Sequence, residues 1–499
     1  MLRPILTGII ICLFFSSAAG QKNTNKPNVL IILADDLGWA DLSCYGSSFY
    51  ETPHLDQLAK EGARFTQFYA ASPVCSPTRA SVLTGKYPNK TGITDWITGR
   101  QAGGKAKPYE KLIGPETAYQ LQVKEKTIAQ YALQNGYRTF FAGKWHLGET
   151  ENDWPESFGF QTNKGGWSKG SPTGRINDST GGFFVPYKNP RLSDGPQGEY
   201  LTDRLTNECL QFLDQQQEQP FFLFYSLYAV HNPLQAPDSL IKKYRAKQQA
   251  LGLTSSQRFT KDESWMQNEI EWKQRIVQDH PVYAAMIENM DLNIGKILAK
   301  LEHLGLDKNT LIIFTSDNGG LSTAEGSPTS NNPLRAGKGW LYEGGIRVPF
   351  MMRWKGKIPE KQEIDQPAIS NDIYPTIASL MNPKYQIEPT IDGLNLLQSI
   401  LSKKSDRTLF WHYPHYSNQG GKPGSAIRKG HYKMIYDYET ESMQLFDLAK
   451  DPSEQNNIVD QEKKRATQMK TELFRWMEET KSNLPVKNPQ HKTANALHP

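Results

Sequence analysis

The sequence predicts an α/β fold, a large mixed, mainly parallel sheet sandwiched by helices, followed by a smaller α+β subdomain. Three observations carry this. Continuous apolar runs alternate with helical patterns, which is how strands covered on both faces and joined by crossover helices read. Polar residues suited to chemistry stand at or just after the ends of those runs, where ligands bind in open parallel sheets. After about Pro375 the texture changes to short runs closed by a helical pattern, the mark of a small antiparallel sheet with a terminal helix.

The elements follow in order. Arg3, an apolar run over 5–15 and the small residues Ser16-Ser17-Ala18-Ala19-Gly20 read as a secretory signal over 1–20, with the mature chain starting at Gln21. The run is shorter than the ~20 residues a bilayer span needs, so the expectation is an exported protein, secreted or periplasmic, with no membrane span after cleavage. Strands are predicted at 29–34, 139–142, 221–228 and 311–315, and helices at 53–61, 127–134 and 282–304. In the last helix Tyr283, Met286, Ile287, Met290, Ile294, Ile297, Leu298 and Leu301 recur at helical spacing, a stripe packed on a sheet. Segments 99–114, 165–194 and 248–274 are rich in Gly, Pro or charge and read as long excursions that wall a substrate. Further strands are predicted at 408–413, 425–427, 432–436 and 443–448, then a helix over 461–480. The expected division is a signal at 1–20, a main domain at 21–375, a subdomain at 376–485 and a frayed tail at 486–499.

At 499 residues the chain exceeds what one hydrophobic core supports. With 37% hydrophobic and 22% charged residues it lies far from the composition of disordered chains. A net charge of +5 with no Lys/Arg-rich block gives no footing for nucleic acid and suits a small anionic substrate. Cys12 leaves with the signal, and the odd count that remains, Cys44, Cys75 and Cys209, points to a thiol with its own chemistry. Cys44 and Cys209 either pair or stand apart.

Pro77 at a first helical position with Ser76 before it reads as a helix start, which places Cys75 just ahead of a helix N-terminus where anions are favoured. Arg79, one turn in, adds a permanent cation able to fork onto oxyanions. Asp35 and Asp36 end one strand, Asp317 and Asn318 another, and on a parallel sheet both pairs face one crevice. Three carboxylates and an amide are hard oxygen donors that select Ca²⁺ or Mg²⁺ over zinc.

Cys75-Ser76-Pro77-Thr78-Arg79, continuing Ala80-Ser81-Val82-Leu83-Thr84-Gly85, resembles the signature of the formylglycine-dependent sulfatases, whose scaffold is the alkaline phosphatase-like fold. The likeness extends through Asp35-Asp36, Gly143-Lys144-Trp145-His146-Leu147-Gly148, Asp317-Asn318-Gly319 and Leu445-Phe446-Asp447-Leu448. It implies that a formylglycine-generating or maturase enzyme oxidises Cys75 to an aldehyde. It also implies that Asp35, Asp36, Asp317, Asn318 and the modified Cys75 bind one calcium ion. Lys144, His146, His231 and Lys338 match further motif positions. The implied reaction is attack on sulfur by the hydrated aldehyde, with Arg79, Lys144 and Lys338 stabilising charge. His231 would then protonate the leaving oxygen, and His146 would take a proton so that the carbonyl reforms and sulfate departs. For the substrate, Trp96, Arg100, Trp167, His412 and His415 are candidates for contacting a sugar. The expected substrate class is an O-sulfate on a carbohydrate, a glycan or glycosaminoglycan, with galactose or N-acetylgalactosamine 4-sulfate as the narrower expectation. The alternatives are a phosphate-ester hydrolase of the same fold, which would place His near Asn318 for zinc, and a non-catalytic protein that binds sulfated glycans.

Overall fold

The computed structural model describes residues 26–172, 181–215, 218–253, 257–261, 273–401 and 407–492. The expected signal, the end of the tail and parts of the second and third excursions lie outside them.

The main sheet contains β1 (Asn28–Ala34), β2 (Ala63–Tyr69), β3 (Arg138–Gly143), β4 (Thr162–Lys164), β5 (Phe221–Ser226), β6 (Thr310–Ser316), β7 (Arg347–Arg353), β8 (Gln362–Ile364) and β9 (Ala368–Ile369). Its order is β8-β2-β7-β6-β1-β5-β3-β4, with β9 beside β2. β6, β1, β5, β3 and β4 run parallel, and β7 lies antiparallel to both β6 and β2.

Central β1 shows why the sheet is a sandwich. Leu30, Ile32 and Ala34 enter one apolar cluster, Val29, Ile31 and Leu33 another, and all six are fully buried. The first face is covered by α1 (Pro53–Lys60), α4 (Leu201–Asp214) and α5 (Pro281–His303); the second by α2 (Cys75–Thr84), α3 (Ile128–Gln134) and α6 (Ile373–Met381). Start signals match the sequence: Thr127 caps α3 in a box with Gln130, and His280 caps α5 ahead of Pro281.

The C-terminal subdomain is an antiparallel sheet, β10 (Thr408–Tyr413), β11 (Gly424–Lys429), β12 (Tyr432–Asp437) and β13 (Ser442–Asp447), covered by α7 (Lys463–Glu479). A third apolar cluster joins its Trp411, Tyr413 and Ile427 to Tyr69, Tyr87 and Ile346 of the main domain.

The start of helix α2 corrects one expectation, and the cysteines decide an open one. Residue 375, the expected domain boundary, lies inside α6, whose Ile373, Ile377 and Met381 belong to the main core. Helix α2 starts at Cys75, with extended Val74 as its cap, so Cys75 is the first helical residue. Pro77 fits the first turn because its missing N–H would have no intrahelical partner there. Cys44 and Cys209 are both free thiols. Among the described residues, no helix is long and apolar enough to cross a membrane.

Candidate active site

Four strand ends lie abreast. Ala34 pairs with Ser316, Leu33 with Ser226 and Gly143 with Ser226, so the residues that follow β1, β6, β3 and β5 emerge along one edge. Past β5, Val230 N donates to Asp35 O at 2.7 Å and carries the chain to His231. Asp36 and His146 both take left-handed backbone conformations, with φ of 60° and 57°. Such conformations are uncommon for non-glycine residues and recur at functional sites.

Carboxylate oxygens of Asp35, Asp36 and Asp317 come within 4.8 Å of one another, and all three residues are buried. Each carboxylate has its own cation. Lys144 Nζ is 2.8 Å from both oxygens of Asp35, and Lys338 Nζ is 2.7 Å from Asp36 Oδ2. Arg79 meets Asp317 Oδ2 through Nε at 2.8 Å and Nη2 at 2.7 Å. Its Nη1 is committed to Lys144 O and Ser226 Oγ. Arg79 therefore holds the crevice together, while Lys338 lines the cavity.

The donor set fits a hard divalent cation. Asn318 Oδ1 is buried without a partner, while its Nδ2 donates to Asp36 Oδ1 at 2.8 Å. The amide group faces the carboxylate with its nitrogen. Turned over, the same amide presents a fourth oxygen to the three acids.

Cys75 Sγ lies 3.3 Å from His146 Nδ1, and His146 Nε2 is 2.7 Å from Ile97 O. A carbonyl only accepts, so Nε2 carries the hydrogen and Nδ1 turns its lone pair on Cys75. Burial, then Lys144, hold this imidazole well below its ordinary range. Burial pushes the Cys75 thiol up, against Lys144 and Lys338, which leaves it a poor nucleophile as a thiol. His231 Nδ1 is 2.8 Å from Asn232 O, so Nε2, 3.6 Å from Asp36 Oδ2, is left for a ligand. Burial and then Lys338 pull His231 down to about 3, against Asp36. For Asp36, burial is outweighed by Lys338 and His231, which keep the carboxylate below its usual range.

A cavity of about 520 Å³ opens over this cluster, with Cys75, His146, His231 and Lys338 in its walls. Trp96 lines it as expected. Arg100 does not; it is bonded to Glu110 at 2.9 Å and to Asn418 at 2.6 Å, and Asn418 reaches the wall in its place. Two histidine expectations are corrected. His412 is buried between Ser425 Oγ and Asn483 O, and His415 is buried against Thr94 Oγ1 at 2.9 Å. Neither ring lines the cavity: His412, on β10, packs within the subdomain, and His415, beyond the end of β10, packs against the main domain. Trp167 contributes its carbonyl to His146 N at 3.3 Å rather than its ring to the cavity.

Glu149, Ser168, Lys169, Glu325 and Gln419 also line the cavity and were not singled out in the sequence. Glu149 follows directly on Gly-Lys-Trp-His-Leu-Gly, and Ser226 closes its strand where Asp35 leaves β1, so both had a positional signal. Glu325 and Gln419 stand in loops without any pattern.

A family model described as Sulfatase matches residues 27–383, and one described as N-sulphoglucosamine sulphohydrolase, C-terminal, matches 336–483. The chain is 29% identical to a sulfatase of Formosa agariphila, over 97% of this chain and 94% of that one. It is 31% identical to N-acetylgalactosamine-6-sulfatase of Canis lupus familiaris, over 86% of this chain and 75% of that one. The crystal structure of Ps i-CgsB in complex with k-i-k-neocarrahexaose matches with a TM-score of 0.73 at 27% identity, covering 95% of this chain and 96% of that one.

Proposed function

The chain belongs to the sulfatase family, and from that premise we propose that it hydrolyses sulfate esters of carbohydrates in the cavity over Cys75. The observation that carries this reading is the buried convergence of three carboxylates, three cations and a neutral imidazole on one residue, Cys75. A non-catalytic glycan-binding protein has no need of such a cluster, whose burial is costly unless every charge is paired.

Asp35, Asp36, Asp317 and Asn318 would hold one calcium ion, which supplies positive charge that favours anionic oxygens in the cavity. Converted to formylglycine by a maturation enzyme, residue 75 supplies an aldehyde whose hydrate carries the attacking hydroxyl. The remaining work belongs to the chain itself. Lys338 and Lys144 neutralise charge on the sulfuryl oxygens as it develops, and Arg79 orients Asp317 and the Lys144 backbone. His146 Nδ1 accepts the proton from a hydroxyl on residue 75, held in the required tautomer by Ile97 O. His231 Nε2 donates to the departing sugar oxygen. The negative charge that a sulfate ester carries into the cavity offsets Lys338 and favours the protonated ring.

The relatives support a sugar substrate: one is an N-acetylgalactosamine-6-sulfatase, and another was crystallised in complex with k-i-k-neocarrahexaose. Of the segments behind the 4-sulfate expectation, Trp96 lines the cavity while His412 and His415 do not, and 4- and 6-sulfates of galactose and N-acetylgalactosamine are the first substrates to test. The signal expected at 1–20 would place the enzyme outside the cytoplasm.

Mass analysis of the peptide containing Cys75, alongside turnover of a panel of sulfated monosaccharides, tests the reading. An aldehyde at residue 75 and sulfate release that Cys75→Ala abolishes are expected. A persisting thiol in protein that cleaves sulfate esters at full rate would overturn it.

A further inference from the structure

Glu325 is an acid in the wall of a cavity built to receive an anion. It lines the same cavity as Cys75, His231 and Lys338, and its charge helps to hold Lys338 protonated. Its placement is fixed from three sides. Gln419 Nε2 donates to Glu325 Oε1 at 2.6 Å, and Asn232 Nδ2, from the residue after His231, donates to its backbone carbonyl at 3.0 Å. Its φ of 53° turns the chain sharply there. Gln419 is itself buried, with Oε1 taking the Ser417 hydroxyl at 2.6 Å and its carbonyl taking Thr323 Oγ1 and Trp340 Nε1 at 2.7 and 2.8 Å. The hydroxyl sets the direction of the amide, and the amide sets the direction of the carboxylate. Among the described residues no side chain donates to Glu325 Oε2.

Such a braced carboxylate beside the leaving-group histidine does two things to a ligand. It accepts hydrogen bonds from hydroxyls, which a sugar ring supplies near the sulfate (the 3-hydroxyl for a 4-sulfate, the 4-hydroxyl for a 6-sulfate), and it repels anions. The other charged groups in the wall are Glu149, of the same sign, and Lys169, on the segment that carries Gly170 against His146. We propose that Glu325 is a specificity-determining residue that accepts a hydrogen bond from a hydroxyl adjacent to the scissile sulfate and rejects rings bearing a second anionic group at that position. The proposal rests on the sulfatase reading above and narrows its substrate class to singly sulfated, otherwise neutral sugar units.

The test uses the full-length, matured enzyme with four substrates: 4-nitrophenyl sulfate, the best monosulfated monosaccharide of the panel, its analogue lacking the ring hydroxyl nearest the sulfate, and its analogue sulfated on that hydroxyl. Wild type is expected to prefer the monosulfated sugar over the disulfated one, with a preference that narrows as salt is raised. Glu325→Gln lowers kcat/KM on the monosulfated sugar roughly 10-fold relative to the deoxy analogue, mostly through KM, and raises relative activity on the disulfated ring roughly 10-fold, as loss of one charge-assisted contact and one like-charge repulsion would. Glu325→Asp keeps the charge but shortens the reach, so it loses the hydroxyl preference and retains the rejection of the disulfated ring. If Glu325→Gln scales all the sugars by one factor, the assignment of Glu325 is overturned while the sulfatase reading stands. If wild type hydrolyses 4-nitrophenyl sulfate and no sulfated sugar, the carbohydrate reading falls and this assignment with it.

Discussion

Gly170 shows how a residue without a side chain shapes the site. A Cβ built on it would lie 2.3–2.6 Å from three atoms of the His146 ring, closer than nonbonded atoms approach. Gly170→Ala must therefore displace the imidazole from Cys75 or from Ile97 O. Misplacing a catalytic group by about 1 Å costs on the order of 10²-fold in rate, so kcat should fall by about that factor while the melting temperature barely changes. Unaltered kcat in this variant would show that the ring is not positioned by the loop. The same imidazole makes a pH prediction. Burial and Lys144 hold His146 well below its ordinary range, so the neutral base persists as pH falls through about 6.5, where a free imidazole protonates. The acid limb of kcat should accordingly lie below that value, and a limb centred on it would remove His146 as the base. Single residues were unevenly legible. Cys75, Asp35, Asp36, Asp317 and Asn318 stand at strand ends or in a motif, whereas His412 and His415 offer only their residue type, which says nothing about where the rings pack.

At the scale of elements, the parallel strands β1, β3, β5 and β6 were readable because they are buried on both faces and so appear as unbroken apolar runs, unlike half-buried, polar β4. β2 and β7 were not. β2 carries Arg64, Thr66 and Gln67 among its apolar residues, and β7 contains Pro349, which argues against a central strand. The structure accommodates that proline at a register shift between Val348 and Phe350 in the pairing with β2. The turn after β1 matters most for the site, and Asp41 holds it. Its Oδ2 accepts from Gly38 N at 2.8 Å and Tyr283 OH at 2.7 Å, and its Oδ1 accepts from Thr329 Oγ1 at 2.6 Å and Gln278 Nε2 at 3.1 Å. This buried carboxylate thus ties the Asp35–Asp36 turn to helix α5. In Asp41→Asn one of those acceptor oxygens becomes a donor that faces other donors, and the turn loosens. Outer partners of metal ligands are worth about 10–100-fold in affinity, so calcium titration by calorimetry should show a weakening of that size. Calcium affinity equal to wild type would mean that the turn holds its shape without Asp41.

The whole molecule depends on how the small sheet is fastened to the large one, and here a buried charge cluster joins the apolar contacts. Lys433 Nζ of β12 lies 3.0 Å from Glu343 Oε1 and 2.9 Å from Glu454 Oε1, and all three groups are buried. Glu343 also accepts from Tyr69 OH at 2.7 Å, and its N–H donates to Glu454 Oε2 at 2.6 Å, so both domains share one network. No sequence pattern announced it, because a lone Lys in a strand and two distant Glu read as surface charges until tertiary structure brings them together. Removing one partner of a buried ion pair strands the other charge and costs about 3–5 kcal/mol; Lys433→Met should lose that much stability at pH 8, with activity per folded molecule retained because Lys433 is not part of the cavity wall. The cost should depend on pH in a definite sense. Burial, with Lys433 opposing it, pushes Glu454 from 4.5 up to about 7. Between those values the folded state holds a proton that the unfolded chain has lost, so this group's contribution to stability is present at low pH and is lost as pH rises through about 7. Without the ammonium Glu454 is raised further and Glu343 loses a partner that keeps it low, so the variant keeps the Glu454 proton at pH 5 but must ionise an unpaired buried carboxylate at pH 8. Chemical denaturation at both values checks this: a larger deficit at pH 8 is expected, and equal deficits would mean that the cluster is held by something other than the charge of Lys433.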